Sequence, residues 1–362
     1  MSADNYILYG SDISYYTGKT RSNLLHKGVP FVELTPNPWQ YLVVFPRRVG
    51  AAVMPVVRTP DGEWWQDSSL IFDQLEQRFP EPAGLPATPV LRFAAYLFEL
   101  WADEFLLPMG WHTTWGRQER RPVFIEEVGK DMLPGWPRFL QQLAGKDMGT
   151  KMSAMSDMLG FTDDMADVLN RLRTTHLDAL DHHFSTSPFL FGSRPCLGDF
   201  GLMGTFYSHM ARPPAAMREL VEPRPHLAAW LQRMNDSASS EGGEFREEDC
   251  VPDTLLTALR SIFDEMVPLI KACRDAVCAA PTGNSDRFLD TISYPMAGGQ
   301  HTRKASGYIV WMAQRLMAVY TSMSPGDQHS VQHWVGSMGG AALFELDLPP
   351  MRREGVKAVR AS

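Results

Sequence analysis

A proline-rich segment divides this chain into two parts with different hydrophobic patterns. Residues 80–89, PEPAGLPATP, contain four prolines, and such a stretch ends helices and cannot continue a central strand. Before it, short apolar runs alternate with helical spacings, whereas after it helical spacings dominate. The pattern predicts an α/β domain over residues 1–80, a linker over 81–88 and a helical domain over 89–236.

The elements before the linker follow the order β-α-β and then β-β-α. The predicted strands are NYILY, VPFVEL, AVMPVV and GEWWQ, and the predicted helices are GKTRSNLLHKG and SSLIFDQLEQRF. Gly28 is a suitable C-cap for the first helix, and Pro80 stops the second. The turn TPDG, residues 59–62, joins the last two strands. This order predicts a small layered domain.

The second part contains several helical segments and a further break. The segments are VLRFAAYLFELWADEFLLPMGWHTTW, interrupted near Pro108, FTDDMADVLNRLRTTHLDALDHHF, LGDFGLMGTFYSHMA and RPHLAAWLQRMND. The stretch SASSEGGEF, residues 237–245, predicts a flexible break. Beyond it we expect a helical extension over residues 246–362. Its segment YIVWMAQRLMAVY has a strongly apolar face, which must cover a cleft or complete the interface of a homodimer.

Composition argues against several classes of protein. With 34 Lys and Arg against 42 Asp and Glu, the net charge is −8, so a nucleic-acid partner is not expected. No run of about 18 apolar residues predicts a membrane span, and MSADNYILYG lacks the layout of a signal peptide. Four dispersed cysteines fit a reducing, cytoplasmic location. Neither the pair Cys273 and Cys278 nor His182–His183 predicts a metal site.

Five hydroxyl side chains lie in the turn between the first strand and the first helix. They are Ser11, Ser14, Tyr15, Tyr16 and Thr17. A helix N-terminus presents unpaired N–H groups, so a serine there is either an N-cap or a donor to a bound anion such as a thiolate. A free thiol with a pKa of about 8.5 is little ionised at neutral pH. A donor beside it would lower that pKa by about 1–2 units.

Two further features lie before and after the last predicted strand. In Met54–Pro55 the proline lacks a ladder donor, and a cis bond there would turn the Met54 backbone outward toward a ligand. A trans proline on an edge strand is the open alternative. In QDSS, residues 66–69, Asp67 or Ser68 begins a helix, either as a simple cap or as a carboxylate-binding helix N-terminus.

These motifs, taken in order, resemble those of cytosolic glutathione S-transferases. LYG…S…GKTR…KGVPF followed by VMPVV…DGE…QDSSLIFDQLE is similar to that family's glutathione site, and FLFGSRPCLGDFGLMGTFYSHM, residues 189–210, is similar to its capping-box helix. The resemblance covers residues 5–236. It implies a thioredoxin-like domain, a helical domain of the family's C-terminal type, and the extension beyond them. It also implies glutathione as co-substrate and a small apolar electrophile as its partner.

The resemblance assigns the activation of the thiol to one of two residues. Ser14 lies where serine-type and cysteine-type members keep their activating residue, and Tyr9 lies at the end of the first strand, where tyrosine-type members keep theirs. We place Ser14 ahead of Tyr9.

The resemblance also implies the residues that bind glutathione. The backbone of Met54 would pair with the cysteinyl part, Pro55 would hold that geometry, and Val53 lies beside them. Asp67 and Ser68 match the pair that receives the γ-glutamyl end. For the glycyl carboxylate, Arg47 and Arg48 have a suitable charge, but an exposed pair of arginines is an equal alternative.

The acceptor pocket of this family lies between the two domains. The interrupted helix supplies an aromatic wall for it, and the candidate residues are Trp101, Phe105, His112 and Trp115. The alternative is that they are core residues. Where the family has Ser or Thr as the cap of its second-domain motif, this chain has Cys196, a poor cap, while Asp199 is retained.

The expected function is therefore that of an enzyme that stabilises the glutathione thiolate and directs it at an apolar electrophile. Conjugation, isomerisation and thiolytic cleavage of an ether all fit. Disulfide exchange is disfavoured because no cysteine lies near Ser14, and a serine hydrolase because no G-x-S-x-G motif occurs. The alternative is a glutathione-binding or scaffold protein that has the fold but no turnover.

Overall fold

The amino-terminal part is a four-stranded sheet covered by helices. The computed structural model describes residues 5–117, 120–161, 165–236, 243–281, 284 and 286–361. The strands are β1 Tyr6–Tyr9, β2 Phe31–Leu34, β3 Val56–Arg58 and β4 Trp64–Gln66, and the helices are α1 Tyr15–His26, α2 Phe45–Val49, which continues a π-helical turn at Gln40–Val44, and α3 Ser68–Arg78. The strand order is β2-β1-β3-β4, with β1 parallel to β2 and antiparallel to β3. This confirms the predicted α/β domain.

Alternation along β1 gives the sheet two apolar faces. Tyr6 and Leu8 pack with Leu24 of α1 and Ile71 of α3. Tyr9 points to the opposite face, where it packs with Phe45 of α2 and with Val56 of β3.

Strand register brings three sequence-distant points to one edge of the sheet. Tyr9 at the end of β1 pairs with Val56 at the start of β3, and Val56 pairs in turn with Gln66 at the end of β4. The turn after β1, the dipeptide before β3 and the residue after β4 therefore lie side by side. The predicted strand AVMPVV is shorter than expected, because Met54 and Pro55 precede β3 rather than lying within it.

The second part is helical, as predicted. Its helices are α4 Pro89–Leu100, α5 Leu107–Thr114, α6 Arg121–Met132, α7 Arg138–Met158, α8 Ala166–Phe184, α9 Leu197–Phe206, α10 Pro214–Ala216 and α11 Pro225–Met234. π-Helical turns follow α4 at Trp101–Phe105, α9 at Tyr207–Ala211 and α10 at Met217–Val221. The predicted interruption near Pro108 falls at Leu106, between the first of these turns and α5.

The helical pair α6 and α7 was not predicted. Its interface depends on glycine rather than on an apolar stripe: a Cβ added at Gly145 would lie 2.2 Å from the Ile125 carbonyl oxygen, and one at Gly129 would lie 2.0 Å from that of Gln141. Such close backbone contact gives no helical periodicity of large apolar residues, which is the signal that sequence reading depends on.

The start of α9 is a capping box formed by Cys196 and Asp199, and Asp199 has further partners. Its carboxylate accepts hydrogen bonds from the Cys196 N–H at 3.0 Å, the Leu190 N–H at 3.2 Å and the Trp230 indole N–H at 2.9 Å. All four residues are buried. Asp199 therefore joins α9 to α11 and compensates for the poor capping ability that we expected of Cys196.

The extension contains the predicted helices and also two hairpins that were not predicted. Its elements are α12 Leu256–Ser261, a π-helical turn at Ile262–Met266, α13 Val267–Ala279, β5 Thr291–Met296, β6 Gly299–Lys304, α14 Gly307–Thr321, α15 Pro325–Ser337, β7 Met351–Glu354 and β8 Lys357–Arg360, with 3-10 turns at Asp253–Leu255 and Ala341–Leu343. Of the predicted break at 237–245, residues 237–242 lie outside the described residues.

The extension shares one apolar core with the helical domain. Buried residues of α4, α9, α13 and α14 belong to the same cluster, which includes Phe93, Phe200, Ile270 and Ile309. The extension also completes α4, because the Asp249 carboxylate accepts from the N–H groups of Val90 at 3.1 Å and Leu91 at 3.0 Å. Among the described residues, no helix has the length and apolarity needed to cross a bilayer.

Candidate functional site

Four of the five hydroxyl groups in the first turn have hydrogen-bond partners within the described part of the chain. Ser11 donates to Asp131, the Thr17 hydroxyl accepts from the Ser11 N–H at 3.4 Å, Tyr15 donates to the Ala102 carbonyl at 2.9 Å, and Tyr16 donates to the Asp103 carbonyl at 3.3 Å. Burial raises the pKa of both tyrosines well above the ordinary value, so their hydroxyls stay protonated. These four groups hold the turn in place.

Ser14 is the remaining hydroxyl, and the part of the chain described here offers it no capping hydrogen bond. It is the N-cap residue of α1 by backbone geometry, half-buried, with its N–H donated to the Ser11 carbonyl at 2.9 Å. Its hydroxyl is therefore available to a ligand at the positive end of the α1 dipole.

The dipeptide before β3 has a cis peptide bond between Met54 and Pro55. Val53 precedes this dipeptide. The pairing of Val56 with Tyr9 places the dipeptide beside the end of β1, which leads to Ser14. Arg47 and Arg48 lie in α2 with exposed side chains, and the Arg48 guanidinium lies 6.0 Å from the centre of a Trp64 ring. Binding of a glycyl carboxylate by these arginines stays a prediction.

Asp67 begins α3 in a left-handed conformation, with φ of 80°. One carboxylate oxygen, Oδ1, accepts from the N–H groups of Ser69 at 3.0 Å and Leu70 at 3.2 Å. The other oxygen, Oδ2, faces the extension, where it accepts from the Tyr308 hydroxyl and lies 3.3 Å from the Arg353 guanidinium. Ser68 is buried beside it. Asp67 is therefore the cap of α3, and it also contacts a distant segment. Binding of a ligand carboxylate by this helix start stays a prediction.

Tyr308 and Arg353 are site residues that sequence reasoning missed. They lie 241 and more positions after Asp67, and no local motif marks them. The one available signal was the apolar face of YIVWMAQRLMAVY, which begins at Tyr308 and had to pack on an unidentified surface.

A buried ionic network lies directly behind this helix start. The Lys19 ammonium of α1 contacts Glu99 Oε1 at 2.7 Å, Asp103 Oδ2 at 2.5 Å and Ser69 Oγ at 3.1 Å. Arg315 of α14 binds the other Glu99 oxygen. The network therefore joins the sheet domain, the helical domain and the extension through a lysine that is 1% exposed.

Two carboxyl groups in the π-helical turn after α4 bind protons unusually tightly. Burial raises the pKa of Asp103 to about 7, against the opposing charge of Lys19. Burial also raises the pKa of Glu104 to about 8, against the opposing charge of Arg303 and with the help of the Asp103 charge. The charges of Asp67 act on both groups, so the site at α3 and this acidic pair are electrostatically linked.

Replacing Glu104 with glutamine should flatten the pH dependence of stability. The folded protein retains a proton on Glu104 up to pH about 8, whereas the unfolded chain releases it near the ordinary value of 4.5. Within that window unfolding releases a proton, so the free energy of unfolding falls as pH rises, by about 1.4 kcal/mol per pH unit. Glu104→Gln removes this contribution, so its stability relative to wild type should increase from pH 5 toward pH 8.

Urea unfolding between about pH 5 and pH 8 measures this difference. The exposed helix residue Glu126 gives the matched control, because hydrogen bonding to Lys130 lowers its pKa and keeps it ionised throughout the range. Glu126→Gln should therefore retain the wild-type slope. Equal slopes for Glu104→Gln and wild type would contradict a protonated Glu104.

The four aromatic-wall candidates divide into two pairs. Trp101 and Phe105 have no exposed surface; Trp101 donates to Ser261 at 3.3 Å, and the Phe105 ring lies 6.4 Å from that of Tyr294. Both are core residues that pack against the extension, which is the alternative that the sequence left open.

Trp115 and His112 lie nearer to the first turn. Trp115 belongs to an apolar cluster that includes Phe124, Val128 and Ile13, and Ile13 directly precedes Ser14. His112 is buried one turn earlier on α5. Within the described residues, no three or more His, Cys, Asp or Glu side chains come together as a metal site.

Comparison with known proteins gives two family matches. The N-terminal domain model of glutathione S-transferases matches residues 8–83, and their C-terminal domain model matches residues 174–233. No protein of curated function is significantly similar to the chain.

Solved structures that are similar include a beta-etherase from Sphingobium sp. strain SYK-6, with 20% identity and a TM-score of 0.41 over 66% of this chain and 97% of its own. A glutathione S-transferase from Rhodospirillum rubrum F11 has 18% identity and a TM-score of 0.41, over 68% of this chain and 96% of its own. A Tau class glutathione S-transferase from mango, Mangifera indica, has 17% identity and a TM-score of 0.41, over 71% and 97%. The two domain models match in order along the chain, so residues 8–83 and 174–233 carry the N-terminal and C-terminal domains of the glutathione S-transferase family.

Proposed function

We propose that this protein is a transferase that binds glutathione at the edge of its sheet, stabilises the thiolate with Ser14 and directs it at an apolar electrophile. The observation that carries the proposal is the hydrogen bonding of the hydroxyl groups in the first turn. Four of its hydroxyl groups are bound to protein atoms, whereas Ser14, at the N-terminus of α1, has no capping hydrogen bond among the residues that the structure describes.

The environment of Tyr9 supports Ser14 as the activating residue. The Tyr9 ring stacks on Trp64, with 5.8 Å between the centroids and 3° between the planes, and it packs against Phe45. It is 5% exposed on the sheet face that α2 covers. A tyrosine held in this way is a core residue, whereas Ser14 is half-buried at the start of α1, after the end of β1 that pairs with β3.

In the proposed complex each part of the site has a separate task. The Met54 backbone pairs with the cysteinyl part of glutathione, Asp67 binds the γ-glutamyl ammonium, and the positive end of the α3 dipole favours the adjoining carboxylate. Ser14 donates its hydroxyl proton to the sulfur as a hydrogen bond and keeps that proton. The thiol proton passes to solvent, and the thiolate attacks the electrophile. A carbon–sulfur bond forms as the bond to the leaving group breaks, or as the π pair of the acceptor shifts to the neighbouring atom and is protonated from solvent.

The apolar cluster around Trp115 is the proposed wall for the acceptor. It adjoins Ser14 through Ile13 and is lined by Trp111, Phe124 and Ile125. Aromatic side chains there favour an apolar electrophile and exclude water from the sulfur.

Ser14→Ala should raise the pKa of the bound glutathione thiol by about 1–2 units, because it removes one donor to the thiolate. Glutathione should still bind. The measurement is the ultraviolet thiolate absorbance of the bound tripeptide across a pH titration, together with its affinity by calorimetry. Tyr9→Phe is the matched control and should leave the thiolate signal unchanged.

The outcomes separate the proposal from its rivals. A signal that persists in Ser14→Ala but disappears in Tyr9→Phe would transfer the role to Tyr9. A non-catalytic binding protein, which the contact of the extension with Asp67 favours, predicts that wild type binds glutathione with an unshifted thiol pKa. If wild type does not bind glutathione, the proposed function is wrong.

A further inference from the structure

The terminal hairpin β7–β8 lies over the predicted glutathione site. A Cβ added at its turn residue Gly355 would lie 3.0 Å from the carbonyl oxygen of Gly50, in the segment that leads to the cis dipeptide. Close to the same turn, the Arg353 guanidinium donates to the Gln66 side chain at 2.9 Å. The hairpin therefore contacts the chain on both sides of β3, at the edge of the sheet where the site residues meet.

Arg353 is held in place by several independent contacts. Its Nη2 group also donates to the Gly355 carbonyl at 2.5 Å, and its Cζ atom lies 5.3 Å from a Trp311 ring and 5.8 Å from the Tyr308 ring. The side chain is 12% exposed. Within the described residues, its Nε–H is buried without a hydrogen-bond partner. A fixed, buried guanidinium with an unused donor is suited to bind an anion.

The partner of Arg353 at this point is Asp67, with 3.3 Å between Nη1 and Oδ2. Two opposite charges held side by side match the head of an amino acid, whose ammonium and carboxylate are attached to one carbon. The ammonium would bind Asp67 and the carboxylate would bind Arg353, so one direct ion pair is exchanged for two. The γ-glutamyl end of glutathione carries this head.

We propose that Arg353 of the terminal hairpin binds the α-carboxylate of the γ-glutamyl group, so that the extension contributes to the glutathione site together with the sheet domain. This inference rests on the proposed function. Tyr308 takes part by positioning: burial and the Asp67 charge raise the pKa of its hydroxyl well above the ordinary value, and it remains a donor that fixes Oδ2. Specificity for a complete amino-acid head then depends on a segment outside the two matched domains.

The test compares two ligands on the full chain by calorimetry. One is reduced glutathione, and the other is the same tripeptide with its γ-glutamyl α-carboxylate converted to a carboxamide. Arg353→Gln should weaken glutathione binding at least tenfold and should change binding of the carboxamide less than twofold. Arg353→Lys, which keeps the charge, should recover part of the loss.

The neighbouring Arg352 provides a matched control, because its side chain is 59% exposed and pairs with Glu354. Arg352→Gln should bind both ligands as wild type does. If Arg353→Gln weakens the binding of both ligands equally, Arg353 has only a structural role. If glutathione binding is unchanged or tighter, the hairpin blocks the site rather than binding the ligand. Each result overturns the inference. Both results leave wild-type binding of glutathione intact, whereas its absence overturns the proposed function itself.

Discussion

Lys19→Met should lower the free energy of unfolding by about 3–5 kcal/mol. The ammonium is the shared cation of Glu99 and Asp103, and the three side chains are at most 3% exposed. Methionine fills a similar volume but carries no charge, so the two carboxyl groups lose their common partner within a buried site. Arg315 compensates only Glu99, so Asp103 bears most of the loss.

Urea unfolding of the variant against wild type at neutral pH measures this effect. Lys151→Met is the control, because Lys151 pairs with Asp147 on the exposed face of α7, where both side chains are 62% exposed. We expect a change of about 0.5 kcal/mol or less there. A loss below about 1 kcal/mol for Lys19→Met would show that the buried carboxyl groups do not depend on the lysine.

Asp199→Ala should cost about 4 kcal/mol, because three buried donors lose their acceptor at once. The donors are the N–H groups of Cys196 and Leu190 and the indole N–H of Trp230, and each unsatisfied donor costs about 1–3 kcal/mol. Burial raises the pKa of Asp199 to about 6, so the carboxylate that accepts these bonds is present at neutral pH and above.

The same helix position elsewhere in the chain gives the control. Asp327 is the N3 residue of α15, where its carboxylate accepts from the Ser324 hydroxyl at 2.8 Å in an exposed setting. Asp327→Ala should cost about 1 kcal/mol or less. Similar losses for the two variants by thermal or urea unfolding would mean that burial adds nothing to the role of Asp199.

The amino-terminal fold was predictable because its signals are local. Gly28 has a positive φ of 61° after α1, and Asp67 begins α3 at the predicted boundary. The short apolar run of β1 and the helical spacing in α3 decided the element types. The α6–α7 pair was missed because close glycine contacts carry neither pattern, and the two hairpins were missed because each contains a mainly polar strand, β6 in one and β7 in the other.

The candidate site was predictable only in part, for the same reason. Ser14, Met54 and Asp67 each belong to a short motif, and strand register brings those motifs to one edge of the sheet. Arg353 lies 287 positions from Gln66, to which it donates, and no periodicity or turn residue reports a contact over that separation. Trp101 was predicted to line the acceptor pocket and is instead buried. The residues that bury it include part of the extension, whose path could not be read from the sequence.

The capping of α4 by Asp249 has a consequence for how the protein is made. Among the described residues, the N-cap residue of that helix, Thr88, forms no side-chain capping bond. The carboxylate that completes the helix start lies 159 positions after Val90, which donates to it. Synthesis proceeds from the amino end, so the first 245 residues leave the ribosome with this helix start still exposed to water. The first helix after the linker therefore gains its cap only once a segment beyond both matched domains has been made.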